Sequence, residues 1–235
     1  MKRIIFDIET VGIDFNSLDT STQQYLLKWA ETEEEEDRVR ESLSLYPLTG
    51  EIVAIGMLNP DSNKGAVYFQ TPEDMLLPFE ENGIRFESGT EKEIIEKFWS
   101  AVKTYDQFIT FNGRTFDCPF IMIRSAVNRI KPSRDLMPNR YNGTHIDLLD
   151  QLTFYGASKR RFSLDMWCKT FGIKSPKSAN ESGEVITGYE VKDLFKSGRY
   201  VDIARYCARD LIATKELFLI WENYIKLQPN QPYKN

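Results

Sequence analysis

The segment Phe6-Asp7-Ile8-Glu9-Thr10 sets two carboxylates inside an apolar, β-branched run that begins at Arg3. Side chains alternate along a strand, so Ile5, Asp7 and Glu9 share one face while Ile4, Phe6 and Ile8 share the other. The apolar face marks a strand packed into a core. The opposite face carries two carboxylates about 7 Å apart along the chain. Like charges that close, if partly buried, repel and lose hydration unless cations or hydrogen bonds compensate. A divalent ion such as Mg²⁺ or Mn²⁺ removes the conflict. A solvent-exposed strand face removes it too, and the spacing of this pair alone favours that plainer reading.

Two later segments bear on the choice. Asn112-Gly113-Arg114-Thr115-Phe116-Asp117 follows a short apolar strand and opens a helix, where Asp117 reads as a helix cap as readily as a metal ligand. Tyr206 and Asp210 lie four apart in a long final helix and therefore sit on one helix face; taken singly, Tyr206 is an ordinary packing aromatic. Four carboxylates and a phenol facing one cleft would suit two-metal hydrolysis of a phosphodiester. One ion activates water, and both neutralise the charge developing on phosphate.

The elements that must position these groups follow from pattern and punctuation. Strands are predicted over Arg3 to Glu9, Glu51 to Leu58 and Ala66 to Gln70, with turn chemistry at Asn59-Pro60-Asp61-Ser62-Asn63. Ile94, Ile95, Phe98 and Val102 give Glu91 to Lys103 one apolar helical face, and a short strand follows at Gln107 to Phe111. Asp117 before Cys118-Pro119 provides an acidic cap and an early proline for a helix over Phe120 to Asn128. Thr144 to Leu149 reads as a strand, and Ser163 to Phe171 as a helix stopped by Gly172. Gly183 to Gly198 is ambiguous, and Tyr200 to Lys226 is one long helix. The order predicts an α/β domain with a mixed central sheet. The runner-up is a doubly wound parallel sheet, but no Gly-x-Gly-x-x-Gly or phosphate-loop motif follows any strand.

With 235 residues, 41% hydrophobic and 28% charged, the chain has the composition of a globular protein, and we expect one domain over 1–235. A helical, acidic excursion is expected at about 19–45. No run approaches the roughly 18 apolar residues of a membrane span, and no secretory segment fits the start, where Asp7 and Glu9 interrupt the apolar run. Cys118, Cys168 and Cys207 form no Cys-x-x-Cys pair, so the default compartment is a reducing cytoplasm. The net charge of -5 conceals a division: residues 31–41 hold seven acids and two bases, whereas 124–177 hold eleven bases and four acids. The overall acidity therefore leaves a nucleic-acid partner open.

Together, Phe6 to Thr10, Asn112 to Asp117 and Tyr206 to Asp210 resemble, in order and type, the three motifs of the DEDD 3'→5' exonucleases, and specifically the tyrosine (DEDDy) subgroup. The likeness is greatest to the predicted exonucleases related to the proofreading domain of family B DNA polymerases. Thr144-His-Ile-Asp-Leu-Leu, Phe162-Ser-Leu-Asp and Phe171-Gly-Ile-Lys extend it from Arg3 to about Trp221. The resemblance implies a ribonuclease H-like fold and two divalent ions, Mg²⁺ or Mn²⁺. It implies Asp7, Glu9, Asp117 and Asp210 as metal ligands, with Asp7 shared between the ions and Asp117 acting through water. Tyr206 would orient or deprotonate the attacking water; a phenol of ordinary pKa about 10 is a poor base at neutral pH, which favours orientation. Thr10, Asn112 and Phe116 would meet the terminal nucleotide, although Thr10 and Asn112 can equally brace backbone.

The related histidine subgroup places a His five residues before its last Asp. His145 and Asp150 have that spacing, but they follow Asp117 too soon, and residues five apart in a strand face opposite sides. Arg205 stands where that subgroup would put its histidine before Asp210. His145 is therefore read as structural, with Asp147 at most a neighbour of the site. The stretch Tyr155-Gly-Ala-Ser-Lys-Arg-Arg-Phe162 suits a single strand passing over the site and, equally, a solvated loop. Single-stranded DNA with a free 3' end is the expected substrate, with nucleoside 5'-monophosphates as products. An exoribonuclease is the alternative within the class, and a non-catalytic nucleic-acid-binding protein the alternative outside it.

Overall fold

Alternating apolar residues build a seven-stranded mixed sheet, described here from a computed structural model covering residues 1–71, 76–177, 186–188 and 190–226. Its strands are β1 (Arg3–Gly12), β2 (Gly50–Leu58), β3 (Gly65–Gln70), β4 (Phe79–Glu81), β5 (Ile84–Gly89), β6 (Gln107–Thr110) and β7 (His145–Asp147). Their spatial order is β4-β5-β3-β2-β1-β6-β7. β1 runs antiparallel to β2 and parallel to β6, and β7 continues the parallel edge beyond β6.

Helices close both faces. α3 (Glu91–Val102) and α4 (Asp117–Val127) cover Ile4, Phe6 and Ile8 of β1, with Phe98, Phe108 and Phe120 in that core. On the other face α8 (Tyr200–Ile220) lies over Ile5, Val11 and Val53, joined by α6 (Leu164–Phe171) and α7 (Val191–Lys196). The excursion after β1 forms α1 (Thr20–Leu27) and α2 (Glu33–Ser42), which bury none of their residues. α2 is held instead by a capping box between Thr32 and Glu35, with four glutamates in its first turn. The short α5 (Leu148–Leu152) follows β7 directly.

The differences from the sequence expectations have local causes. The segment after Gln70 holds a hairpin, β4–β5, turning through Asn82 (φ 52°) and Gly83 (φ 80°). Asn-Gly is the residue pair that such a left-handed two-residue turn favours. β7 is only three residues long, because Asp147 caps a helix by accepting the Leu149 N–H at 3.0 Å. α4 starts at Asp117 rather than Phe120, so Pro119 lies in its first turn, where a missing N–H does no harm. Phe116 holds the cap position without a side-chain hydrogen bond. The last helix changes pitch at Trp221, where residues Trp221–Ile225 form a π turn. Part of Gly183 to Gly198 lies outside the described residues; its described end forms α7.

Candidate active site

The chain's three sequence motifs converge where the parallel pairing of β1 with β6 ends, the edge at which α/β sheets commonly hold ligands. Asp7 is half-buried, while Glu9 and Asp117 are buried. Asp117 is not a helix cap: its Oδ1 accepts the Ile8 N–H at 3.0 Å. β6 pairs with β1 only as far as Ile5, so beyond that point the carboxylate of Asp117 takes over as a partner of the β1 backbone. That single bond fixes the second motif beside the first.

The third motif arrives on α8, which comes unusually close to the sheet. Gly56 of β2 pairs with Asp7, and a Cβ placed on Gly56 would fall 2.7 Å from both Cys207 Sγ and Leu211 Cδ1. Only a bare backbone lets the helix settle there. A glycine inside a strand is the sequence signal for such an approach. Arg205 forms a bidentate pair with Glu81 at 2.6 and 3.0 Å, anchoring the helix to β4. Arg3 reaches Glu222 at 2.7 Å and also pairs with Asp61, anchoring the other end. With α8 so placed, Tyr206 and Asp210 face Asp7 and Glu9.

The cluster is electrostatically strained. Burial first, then Asp117, Asp210 and Glu9, push Asp7 well above the usual carboxylate range. Burial, then Asp210 and Asp117, do the same to Glu9. Burial raises Asp117 to about 7, against the opposing pull of its backbone hydrogen bonds. Burial likewise raises Asp210 to about 7, partly offset by the hydrogen bond from Tyr206 and the charges of Arg209 and Lys177. The Tyr206 phenol is driven far upward by burial and the surrounding carboxylates, so its O–H is a donor to Asp210 throughout the working pH range.

Donor chemistry fits hard divalent cations. Asp7, Glu9 and Cys207 each bring a potential ligand atom within 4.8 Å of the others. The Cys207 thiol is pushed well above its ordinary value by burial and by Asp7, and Sγ donates weakly to the Asp7 carbonyl at 3.8 Å. The donors left for a metal are carboxylate oxygens, the set that suits Mg²⁺ or Mn²⁺.

The Thr10 hydroxyl donates to the Ser44 carbonyl at 2.7 Å and so braces the excursion. Asn112 takes a left-handed conformation (φ 65°), and its N–H donates to Asp147 at 3.0 Å. Its Oδ1 accepts from Thr115 and, at 2.9 Å, from Arg161. Phe116 packs on Phe120. A cleft of about 400 Å³ opens beside this loop, walled by Phe111, Asn112, Thr115, Leu149, Arg161 and Phe162. Asp147 is buried and also accepts the Arg114 N–H, so it shapes the loop that precedes Asp117. His145 bridges the Thr110 hydroxyl at 2.9 Å and the Leu136 carbonyl at 3.0 Å, and burial lowers it to about 4. Asp150 is engaged by Arg140 at 2.6 and 2.8 Å. Neither belongs to the carboxylate cluster.

A mixed sheet between two helical layers, with acids converging from β1, α4 and α8, defines a ribonuclease H-like α/β fold with a candidate metal-dependent hydrolytic centre. The chain belongs to the family of predicted 3'-5' exonucleases related to the exonuclease domain of PolB, which matches residues 74–230. Asp117, Tyr206 and Asp210 lie inside that match; Asp7 and Glu9 lie before it and join the site through the fold. The chain is similar in fold to the family B DNA polymerase of the hyperthermophilic archaeon Pyrobaculum calidifontis, with a TM-score of 0.55 and 16% identity over 94% of this chain. It spans 24% of that polymerase. No curated protein matches the chain.

Proposed function

We propose that this protein is a 3'→5' exonuclease that releases nucleoside 5'-monophosphates from the 3' end of single-stranded DNA. One observation carries the reading: four carboxylates from three elements distant in sequence, Asp7, Glu9, Asp117 and Asp210, are held together against their mutual repulsion. A fold does not accumulate buried like charges without something that offsets them. Two divalent ions, Mg²⁺ or Mn²⁺, held by these carboxylates would supply an activated water and neutralise charge on the phosphate. Asp7 and Glu9 on β1 form the rigid base of the site, and Asp210 closes it from α8. Tyr206, protonated and hydrogen-bonded to Asp210, orients the attacking water rather than deprotonating it. Asn112 lines the cleft that would hold the terminal nucleotide, while Phe116, packed on Phe120, supports the loop beside it. Thr10 acts there through the backbone that it braces.

We take 1–235 as one exonuclease domain, with α1 and α2 as an excursion from it. A reducing cytoplasm is consistent with the three free, buried cysteines, and no helix among the described residues is long and apolar enough to cross a membrane.

The test is digestion of 5'-labelled single-stranded DNA and matched RNA with Mg²⁺, Mn²⁺ or EDTA, beside Asp210→Asn. We expect a metal-dependent ladder shortening from the 3' end, faster on DNA and lost in the variant. Faster digestion of RNA would replace DNA by RNA in the reading. Binding without cleavage under either metal would replace the enzyme by a nucleic-acid-binding protein.

A further inference from the structure

Downstream of the catalytic edge the chain makes an expensive turn. Phe154 (φ 49°), Tyr155 (φ 56°) and Gly156 (φ 93°) are three consecutive left-handed residues, and only the glycine adopts that conformation freely. Backbone hydrogen bonds enforce it: Tyr155 N–H donates to the Asp150 carbonyl at 2.7 Å and Ser158 N–H to the Thr153 carbonyl at 3.0 Å. This strain does not put the aromatics into the core. Phe154 is 64% exposed, Tyr155 40% and Tyr141, whose ring lies 5.0 Å from that of Tyr155, 72%. The orientation of Tyr155, on which Tyr141 packs, is nevertheless fixed. Gln151 Nε2 donates to the Tyr155 hydroxyl at 2.7 Å, and the Arg140 guanidinium lies 5.8 Å from the Tyr155 ring centroid. Arg140 is itself clamped by Asp150.

From Tyr155 the chain runs through the exposed Lys159, Arg160 and Arg161 to the cleft, where Arg161 meets Asn112 and Phe162 forms part of the wall. The six steps along the chain from Tyr155 to Arg161 span at most about 20 Å, the reach of a few nucleotides. Exposed, pre-oriented rings at one end and three adjacent cations leading into the cleft are the parts of a track for single-stranded nucleic acid. Rings stack on bases regardless of sequence, and cations follow the phosphates.

We infer that Tyr141, Phe154 and Tyr155, with Lys159, Arg160 and Arg161, form a second binding site for the single strand several nucleotides upstream of its 3' end. The site makes the enzyme sensitive to substrate length. This rests on the exonuclease reading for the strand's polarity, but not for the binding itself.

The experiment separates the two. Binding of a fluorescent 12-nucleotide single strand, as DNA and as RNA, is measured by anisotropy in EDTA on the full chain carrying Asp210→Asn. Tyr141→Ala/Tyr155→Ala added to that background should weaken binding about tenfold or more, while Tyr141→Phe/Tyr155→Phe should restore most of it. Lys159→Gln/Arg160→Gln/Arg161→Gln should flatten the log–log salt dependence by about 2. With native Asp210 and Mg²⁺, the tyrosine-to-alanine pair should raise KM for the 12-mer more than for a trinucleotide, so that the preference for length shrinks. Circular dichroism and the melting temperature report on folding of each variant. Unchanged 12-mer affinity in a folded alanine pair would overturn the track. Weakened affinity with no cleavage by the parent would keep the track and overturn the exonuclease.

Discussion

At the residue scale the decisive contacts are those that leave a carboxylate no ordinary structural role. Asp117 could have capped its helix, yet it supports β1 through Ile8 instead and so faces the other acids. Tyr206 could have been a packing aromatic, yet its hydroxyl is spent on Asp210. The pair Asp7 and Glu9 was legible from i,i+2 spacing on a strand, the pair Tyr206 and Asp210 from i,i+4 spacing on a helix, and Asp117 from its place at the opening of a helix. Their convergence was not, because Asp7, Asp117 and Asp210 are separated by long stretches whose packing no local pattern encodes. Tyr206→Phe should therefore keep the fold and lower kcat about tenfold to a hundredfold, the weight of a hydrogen bond to a charged group. The pH profile of cleavage by the native protein should show no rising limb towards pH 10. A limb there that the phenylalanine variant lost would make Tyr206 the base and refute the orienting role.

At the scale of elements, site geometry depends on how α8 sits. Its three anchors are the Arg205 pair with Glu81, the contact at Gly56 and the Arg3 pair with Glu222. Sequence periodicity located the helix and its apolar face, because one face of α8 is buried along its length. It did not locate the anchors, since Glu81 lies in a hairpin whose strand of three residues is too short for a periodic signal. The Asn82-Gly83 turn was the readable mark of that hairpin. Gly56→Ala should push α8 off the sheet, destabilise the protein by about 1–3 kcal/mol in denaturant unfolding, and reduce cleavage more than binding of a single strand. Adding Cys207→Ala should recover part of the loss, since Sγ is one of the two atoms that lie 2.7 Å from the new Cβ. Wild-type stability and cleavage in Gly56→Ala would show that the approach at Gly56 does not set the site.

At the scale of the whole molecule, charge is divided along the chain. The acidic excursion leaves from the end of β1, whereas the exposed Lys159, Arg160 and Arg161 lead to the cleft, where a polyanion would find its cations. The clustered acids bear on stability in a way that pH exposes. Asp117 and Asp210 have their pKa values raised from 3.8 to about 7 in the folded, metal-free chain. Between about pH 4 and 7 the folded chain therefore holds protons that the unfolded chain has released, and stability falls as pH rises through that window. His145, lowered from 6.5 to about 4, acts oppositely, with its contribution lost as pH falls through the same range. The melting temperature in EDTA mixes the two, but a divalent cation competes with protons only at the carboxylates. Mg²⁺ should accordingly raise the melting temperature clearly at pH 8 and little at pH 5. Asp210→Asn should raise it at pH 8 in EDTA, leave it unchanged near pH 4, and weaken the response to Mg²⁺. His145 is intact in that variant, so its titration cancels in the comparison. An equal response to Mg²⁺ at both pH values would mean that the ion binds elsewhere and that the acidic cluster is not what holds it.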